Sequence, residues 1–224
     1  MRYIQSDSTM VLVIFKERVS QRLSKRNLLE QGFLKMVILT NCTFTYRDDR
    51  TAYCECNGDI PPCPCCGGVL HYRDMVPRIV RKYGGETSYI LISRFRCSNE
   101  DCTAKIHRGI PSQLTPHKHF LTEVIEDAVD DIIQVNDAVC PDDISSPSEQ
   151  TIAKWKTWIE FNKKLINEIL TQMASFLLSY GVASPDSQHT WLDTLRADGA
   201  GWLRTVLRLT YNFGCRMRSA YLCS

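Results

Sequence analysis

The stretch Cys63-Pro64-Cys65-Cys66-Gly67-Gly68 decides the expected fold of this chain. Two cysteines separated by two residues, here Cys63 and Cys66, can bind one tetrahedral Zn²⁺ from a tight backbone turn, called a knuckle below. Glycine directly after the second cysteine suits the left-handed backbone that such a knuckle needs. The stretch therefore predicts half of a metal site.

A second cysteine pair supplies the other half. It stands in Cys97-Ser98-Asn99-Glu100-Asp101-Cys102, where the pair is separated by four residues, at the upper end of known ligand spacings. Catalytic zinc keeps an open coordination position, whereas four sulfur ligands close the shell. We therefore expect a structural zinc and no catalysis, with the ligands Cys63, Cys66, Cys97 and Cys102.

The residues between the two pairs predict a β-hairpin. Val69–Arg73 and Arg78–Tyr83 are rich in strand-favouring residues, and Thr87–Arg96 alternates in hydrophobicity. Gly84 and Gly85 suit the positive φ of a two-residue hairpin loop. With a short strand at Lys105–Arg108, the layout is that of a zinc ribbon, whose hairpin brings the two cysteine pairs together.

Other ligand assignments remain open at this point. His107 or His71 could replace one cysteine, and Cys65 is expected to point away from the metal. Cys54 and Cys56 are close enough in sequence to suggest a second metal, although four good ligands for it are hard to find. We expect the scattered cysteines, Cys42, Cys140, Cys215 and Cys223, to be plain thiols.

Composition limits the class of protein. The 224 residues are 44% hydrophobic and 23% charged, which excludes disorder over the whole chain. The longest apolar run, Met10–Phe15, is too short for a membrane span or a signal peptide. Eleven cysteines, an odd number, favour metal binding in a reducing, cytoplasmic compartment over a disulfide scaffold.

The net charge of +2 is unevenly distributed. Residues 69–108 and 196–224 each carry +4, whereas residues 121–150 carry −9. The basic blocks would attract a phosphate backbone. Alternatively, the acidic and basic blocks pair with each other inside one molecule. Residues 1–35 also carry +4 and form a basic extension that is either a genuine arm or an over-extended start.

Hydrophobic periodicity predicts helices after the ribbon. Ser146-Pro147-Ser148-Glu149 is a helix start with Ser146 as N-cap, Gly181 provides a stop, and the length between them predicts a kink near Asn162. The predicted helices are Phe120–Gln134, Pro147–Tyr180, Ser187–Ala197 and Trp202–Phe213.

The start of the long helix mixes lysine with tryptophan. Lys154 and Lys156 beside Trp155 and Trp158 are typical of a DNA-recognition helix, or the tryptophans are core anchors and the lysines solubilising. About a dozen residues join this helix to the preceding one, more than a tight helix-turn-helix uses, so a short extra helix would be needed. The candidate phosphate contacts are Arg94, Arg96, Arg108, Lys154 and Lys156.

These residues resemble a bacterial family of unknown function. Its hallmark is a Cys-Pro-x-Cys-Gly-Gly knuckle, a hairpin, a second cysteine knuckle and a stretch similar to His107-Arg108-Gly109-Ile110-Pro111-Ser112-Gln113-Leu114-Thr115-Pro116-His117-Lys118-His119. Ser148-Glu149-Gln150-Thr151 and Gly201-Trp202-Leu203 also look similar. The order of ribbon and helices resembles the N-terminal DNA-binding part of transposases. That resemblance implies an association with mobile elements, and the family supplies no established activity.

The sequence thus predicts an α+β protein with a small zinc-ribbon sheet followed by an all-α region. The expected function is DNA binding, with an adaptor module that binds a protein partner as the alternative and a metal-dependent hydrolase on the acidic helix, using Asp127 and Asp131, ranked last. No membrane and no small-molecule substrate is expected. The expected domains are the basic extension 1–35, the ribbon 36–111, the helical, helix-turn-helix-like domain 112–181 and the C-terminal segment 182–224.

Overall fold

The computed structural model describes residues 35–47, 51–81, 87–132 and 147–217. Within these ranges the chain forms six β-strands and then five α-helices. The strands are β1 (Lys35–Leu39), β2 (Cys42–Tyr46), β3 (Thr51–Cys56), β4 (Leu70–Arg81), β5 (Thr87–Cys97) and β6 (Ile106–Pro111). The helices are α1 (Thr122–Val129), α2 (Glu149–Gln172), α3 (Ala174–Ser179), α4 (Trp191–Ala197) and α5 (Trp202–Asn212).

All six strands belong to one mixed sheet with β5 at its centre. β4 lies along one edge of β5 in antiparallel orientation. The other edge of β5 is shared, because its first half pairs in parallel with β3 and its second half pairs antiparallel with β6. β2 extends the sheet beyond β3, and β1 extends it beyond β6 in parallel orientation.

The hairpin expected between the cysteine pairs is present as β4 and β5. Its register runs from Leu70 opposite Cys97 to Arg81 opposite Thr87, and the predicted turn lies outside the described residues. Ile90 and Ile92 of β5 are buried at alternate positions, as the pattern predicts. Pro77 is tolerated in β4 because an edge strand need not donate every backbone N–H to a neighbour.

The prediction of a small zinc-ribbon sheet is wrong. The three strands that precede the first knuckle, β1 to β3, join the hairpin and β6 in one six-stranded sheet. The pairing of β1 with β6 aligns Val37 with Gly109 across a long stretch of chain. Parallel partners must be distant in sequence, so local patterns cannot show that β1 belongs to this sheet. The broader expectation of strands followed by helices agrees with the structure.

The long helix starts and breaks at other residues than predicted. Ser148, not Ser146, is the N-cap of α2, and its side chain accepts a hydrogen bond from the Thr151 N–H. The helix continues through Asn162 and breaks at Met173, between α2 and α3. Asn162 is buried, and its Nδ2 donates to the carbonyl oxygen of Trp158, one turn earlier in the same helix, at 2.8 Å.

The acidic block pairs with part of the C-terminal basic block, residues 196–224, as one of the two interpretations predicted, whereas no ion pair of the described residues joins it to the block 69–108. Arg204 of α5 lies 3.0 Å from Glu123 of α1. Asp130, directly after α1, forms an ion pair with Arg196 and accepts a hydrogen bond from Trp202 Nε1 at 2.7 Å. These contacts hold α4 and α5 against α1 and use charge that would otherwise be free to attract a partner.

Helices and sheet share one continuous hydrophobic core. α5 lies on β1, where the side-chain amide of Asn212 bonds the backbone of Ile38 in both directions, at 2.7 Å to its N–H and 3.0 Å to its oxygen. The predicted domain boundaries stay predictions, and the basic extension 1–35 lies outside the described residues except for its last position. In the described part of the chain, no helix is both long and apolar enough to cross a bilayer.

Candidate metal centre

Four cysteine sulfurs converge where β5 ends. The Sγ atoms of Cys63 and Cys102 lie 3.7 Å apart, and those of Cys66 and Cys97 lie 3.5 Å apart. All four sulfurs lie within 4.8 Å of one another. Ligands at about 2.3 Å in a tetrahedron are separated by about 3.8 Å. The spacing of the sulfurs therefore suits one tetrahedral metal ion with these four cysteines as ligands.

The first knuckle is shaped by backbone hydrogen bonds and glycines. The Gly67 N–H donates to the Cys63 oxygen and the Cys63 N–H to the Gly68 oxygen, both at 2.8 Å. Gly67 has a φ of +81°. A Cβ on Gly68 would lie only 3.2 Å from the sulfur of Cys97. Glycine is needed here both for the turn and for the close approach of the second cysteine pair.

The second knuckle is fixed by the sheet. Cys97 is the last residue of β5 and stands opposite Leu70, the first residue of β4, which brings the two knuckles side by side. The Cys97 N–H donates to the Lys105 oxygen at 2.9 Å. The Cys102 N–H donates to the Asn99 oxygen at 3.2 Å, closing the turn.

A second ligand set competes for the same metal. Cys63, Cys65, Cys102 and His107 also lie within 4.8 Å of one another. The Nε2 atom of His107 lies 3.3 Å from the Cys63 sulfur and 2.8 Å from the Ala104 oxygen. The Ala104 oxygen can only accept, so a proton on this nitrogen would satisfy that oxygen and would keep the nitrogen from coordinating a metal. This contact favours the set of four cysteines, with the His107 ring beside the Cys63 sulfur.

The environment acts differently on the individual thiols. Hydrogen bonds from Cys65 and from His107 lower the pKa of Cys63 against the effect of burial. Burial raises the pKa of Cys97 to about 12 and also raises that of Cys102. A bound dication would compensate the cost of burying such thiolates next to one another.

A second cysteine cluster lies on β2 and β3. Cys42 and Cys56 stand opposite each other in the antiparallel register and form a disulfide, so the expectation that Cys42 is a plain thiol is wrong. The sulfur of Cys54 lies 3.5 Å from that of Cys56. Burial, together with the charge of Glu55, raises the pKa of Cys54 to about 12. Strand register, which the sequence did not show, brings these three cysteines together.

The candidate phosphate contacts do not form one patch. Arg94 is bound by Asp74 and Lys156 by Asp131, whereas Arg96 and Lys154 are exposed. Arg94 and Arg96 lie near the metal-site end of β5. Lys154 and Lys156 belong to a helix whose Trp155 ring packs on Phe120, at 5.1 Å between centroids.

The separation follows from the strand register. Phe120 bridges to Arg81, at the far end of β4 from the metal site. Arg81 lies seven residues along β4 from Asp74, the partner of Arg94. That corresponds to about 23 Å of extended strand. Trp155 and Trp158 are buried, so the face of α2 that carries them packs against the core.

Arg108 lies in a group of basic side chains that the sequence pattern does not reveal. We call this group the basic cluster; its members influence one another electrostatically and are Arg78, Arg108, His117, Lys118 and Arg216. The sequence contained a signal for three of them, because Arg108, His117 and Lys118 belong to the His107–His119 stretch quoted above for its resemblance. Arg78 and Arg216 are distant in sequence from that stretch, so no single stretch of sequence shows the charge of the whole group.

Comparison with known proteins gives one match. A family model described as a domain of unknown function (DUF6431) matches residues 63–155. No curated protein and no solved structure matches the chain significantly. The matched segment contains both cysteine knuckles and four of the five members of the basic cluster. Residues 63–155 are therefore similar to an uncharacterised family, and this similarity assigns no activity.

Proposed function

We propose that the protein is a zinc-stabilised DNA-binding protein whose metal is structural. The donor set supports zinc, because four cysteine sulfurs at tetrahedral spacing are typical of structural zinc sites. Such a site has no open position for a reacting molecule, so the proposal includes no catalysis.

The observation that carries DNA binding is the basic cluster. In the described part of the chain, none of the ion pairs neutralises Arg78, Arg108 or Lys118, whereas the acidic helix α1 is occupied by α4 and α5. Cations without acidic partners attract the phosphate backbone of nucleic acid. Arg96, which is exposed, lies two positions along β5 from Arg94, the register partner of Arg108.

The metal centre would hold the basic cluster in place. Arg108 follows His107, whose ring is fully buried and contacts the sulfur of Cys63. β6, which carries both residues, pairs with β5 just before the ligand Cys97. Removing the metal should therefore loosen the strands that position Arg108.

The proposal is tested by DNA binding across a salt series. If the protein neutralises four or five phosphates, the logarithm of the DNA association constant should fall linearly with the logarithm of the salt concentration. The expected slope is about −4. Cys66→Ser should lose the metal and weaken DNA binding at least tenfold. The matched control Cys65→Ser changes a neighbouring cysteine outside the favoured ligand set. This variant should keep the metal and should bind DNA like the unchanged protein. No binding of duplex DNA at low salt would refute the proposal.

An adaptor module is the second candidate function, and one surface favours it. Ile79 on β4 and Tyr89 on β5 are register partners on one face of the sheet, and both side chains are exposed. Two adjoining apolar side chains on a sheet face could form part of a larger apolar patch of the kind that contacts proteins. This candidate predicts a co-purifying protein that Tyr89→Ser releases, together with no affinity for DNA.

A further inference from the structure

Two arginines of the basic cluster lie on the same face of the sheet. Arg78 of β4 stands opposite Ile90 of β5, and Arg108 of β6 stands opposite Arg94 of β5. Ile90 and Arg94 are four residues apart, so their side chains point to the same side. The two arginines approach each other from strands on opposite sides of β5, and their charges act on one another.

Arg78 holds the loop after β6 against this face. Its guanidinium donates hydrogen bonds to the carbonyl oxygens of Thr115 and of Lys118, the latter at 2.8 Å. His117 lies between these two anchors and has a φ of +60°, which is uncommon for a residue other than glycine. Strained backbone of this kind persists where the surrounding structure enforces it, often at binding sites.

The segment after α5 brings a third arginine to the cluster. Tyr211 is buried near the end of α5, where the charges of Arg216 and Arg78 both act on its phenol. Asn212, the next residue, is bonded to β1. The Cys215 N–H donates to the Thr210 oxygen at 2.9 Å, so the segment that carries Arg216 folds back onto the end of α5.

The electrostatics of the cluster are unfavourable as they stand. Burial and the charges of Arg216, Arg78, Lys118 and Arg108 lower the pKa of His117 to about 4. Burial, followed by the charge of Arg108, lowers the pKa of Arg78 to about 10. No carboxylate of the described residues contributes to either shift. Asp74, which lies on the same sheet face, is bound by Arg94.

One buried donor of the cluster also lacks an acceptor. The Nε–H of Arg108 has no hydrogen-bond partner among the residues that the structure describes. A buried donor without an acceptor destabilises the folded state. An anion that accepts from Arg108 would remove this cost and the repulsion between the cations.

We propose that the basic cluster is a binding site for one phosphate group. Arg78, Arg108 and Arg216 supply the positive charge, and His117 donates one ring N–H. Guanidinium groups match the oxygens of phosphate in geometry as well as in charge. The group can belong to free phosphate, a phosphate ester or the DNA backbone, and the site does not depend on the protein's binding DNA.

The test is a titration of the metal-loaded full chain with inorganic phosphate, followed by calorimetry and by thermal unfolding. We expect saturable binding with a stoichiometry of one and a rise in Tm. Arg108→Gln and Arg216→Gln should each weaken binding at least tenfold. Lys164→Gln removes an equal charge from the exposed side of α2 and should bind phosphate like the unchanged protein.

Circular dichroism and zinc content of both arginine variants show whether they fold. Arg216→Gln changes a residue outside the strands, so it keeps the test decisive if Arg108→Gln does not fold. Absence of saturable phosphate binding, or equal affinity of folded Arg216→Gln and Lys164→Gln, would overturn the proposal.

Duplex DNA added to the phosphate titration identifies the source of the group. Competition between DNA and phosphate supports the site and assigns it to the nucleic-acid backbone. Phosphate binding without any DNA binding supports the site with a free phosphate or phosphate ester and refutes the proposed function. If the protein does not bind phosphate and both arginine variants bind DNA as well as the unchanged protein does, the phosphate site is refuted but DNA binding is not.

Discussion

Glu126 of α1 should stabilise the fold by capping α5 from outside that helix. Its side chain is only 4% exposed and accepts hydrogen bonds from the backbone N–H groups of Gly201 and Leu203, the latter at 2.8 Å. These two N–H groups are at the start of α5, where helix donors lack intrahelical partners. A carboxylate there also interacts favourably with the helix dipole.

We expect Glu126→Gln to lower the free energy of unfolding by about 2 kcal/mol, since a hydrogen bond to a charged group contributes about 1.5–3 kcal/mol. The amide has one acceptor oxygen, and its NH₂ group would face the other backbone donor. Relief of the buried charge offsets part of this loss. The exposed control Glu123→Gln breaks only its contact with Arg204, so it should cost less than about 1 kcal/mol.

The pH dependence provides a second readout. Burial raises the pKa of Glu126 above its ordinary value of 4.5, so the folded state binds more protons than the unfolded state above that pH. The contribution of Glu126 to stability therefore falls as pH rises through the window between 4.5 and the folded pKa. Glutamine does not titrate, so the stability lost in Glu126→Gln should shrink as pH rises through this window.

Urea denaturation, followed by circular dichroism with excess zinc at several pH values, measures both effects. Comparing the two proteins at each pH cancels the titration of the cysteines. If Glu126→Gln lowers the free energy of unfolding by less than about 0.5 kcal/mol at every pH, the capping role is refuted, because ordinary surface substitutions have effects of that size. A loss that grows with pH would refute the assigned direction of the pKa shift.

Three further predictions concern packing and the thiols. Gly109→Ala places a Cβ 2.5 Å from the ring of Phe95 and should cost about 1–3 kcal/mol in urea denaturation; an unchanged midpoint would contradict it. Gly214→Ala, at a φ of +78°, places a Cβ 2.5 Å from the Pro64 oxygen, so it should shift the first knuckle and weaken zinc binding in chelator competition. Cys54, with its pKa raised to about 12, should resist alkylation at neutral pH in the folded protein, and rapid labelling in mass spectrometry would disprove this.

Short-range patterns predicted the hairpin and one helix end. The alternation of Thr87–Arg96 appears in β5, and Gly181 adopts the left-handed backbone expected at a helix end, with a φ of +85°. These features depend on neighbouring residues alone, so a pattern in the sequence is sufficient to predict them.

Long-range pairing accounts for the errors. The small ribbon was expected because β1, β2 and β3 carry no local sign of their partners. Cys42 was expected to be a plain thiol because its partner, Cys56, is found only once the register of β2 with β3 is known. The helix continues through the buried Asn162, whose side chain bonds the Trp158 carbonyl within the helix, and it breaks at Met173 instead.

The sequence by itself indicated the two cysteine pairs of the expected metal site, because ligand spacing and glycine requirements are local properties of two short turns. Only the tertiary structure decided which charges are neutralised and which converge. Arg94 and Lys156 are bound by nearby acids, whereas Arg78, Arg108 and Arg216 meet from two strands and the segment after α5. Coulomb interactions depend on distance in space, and that distance is set by strand register and helix packing.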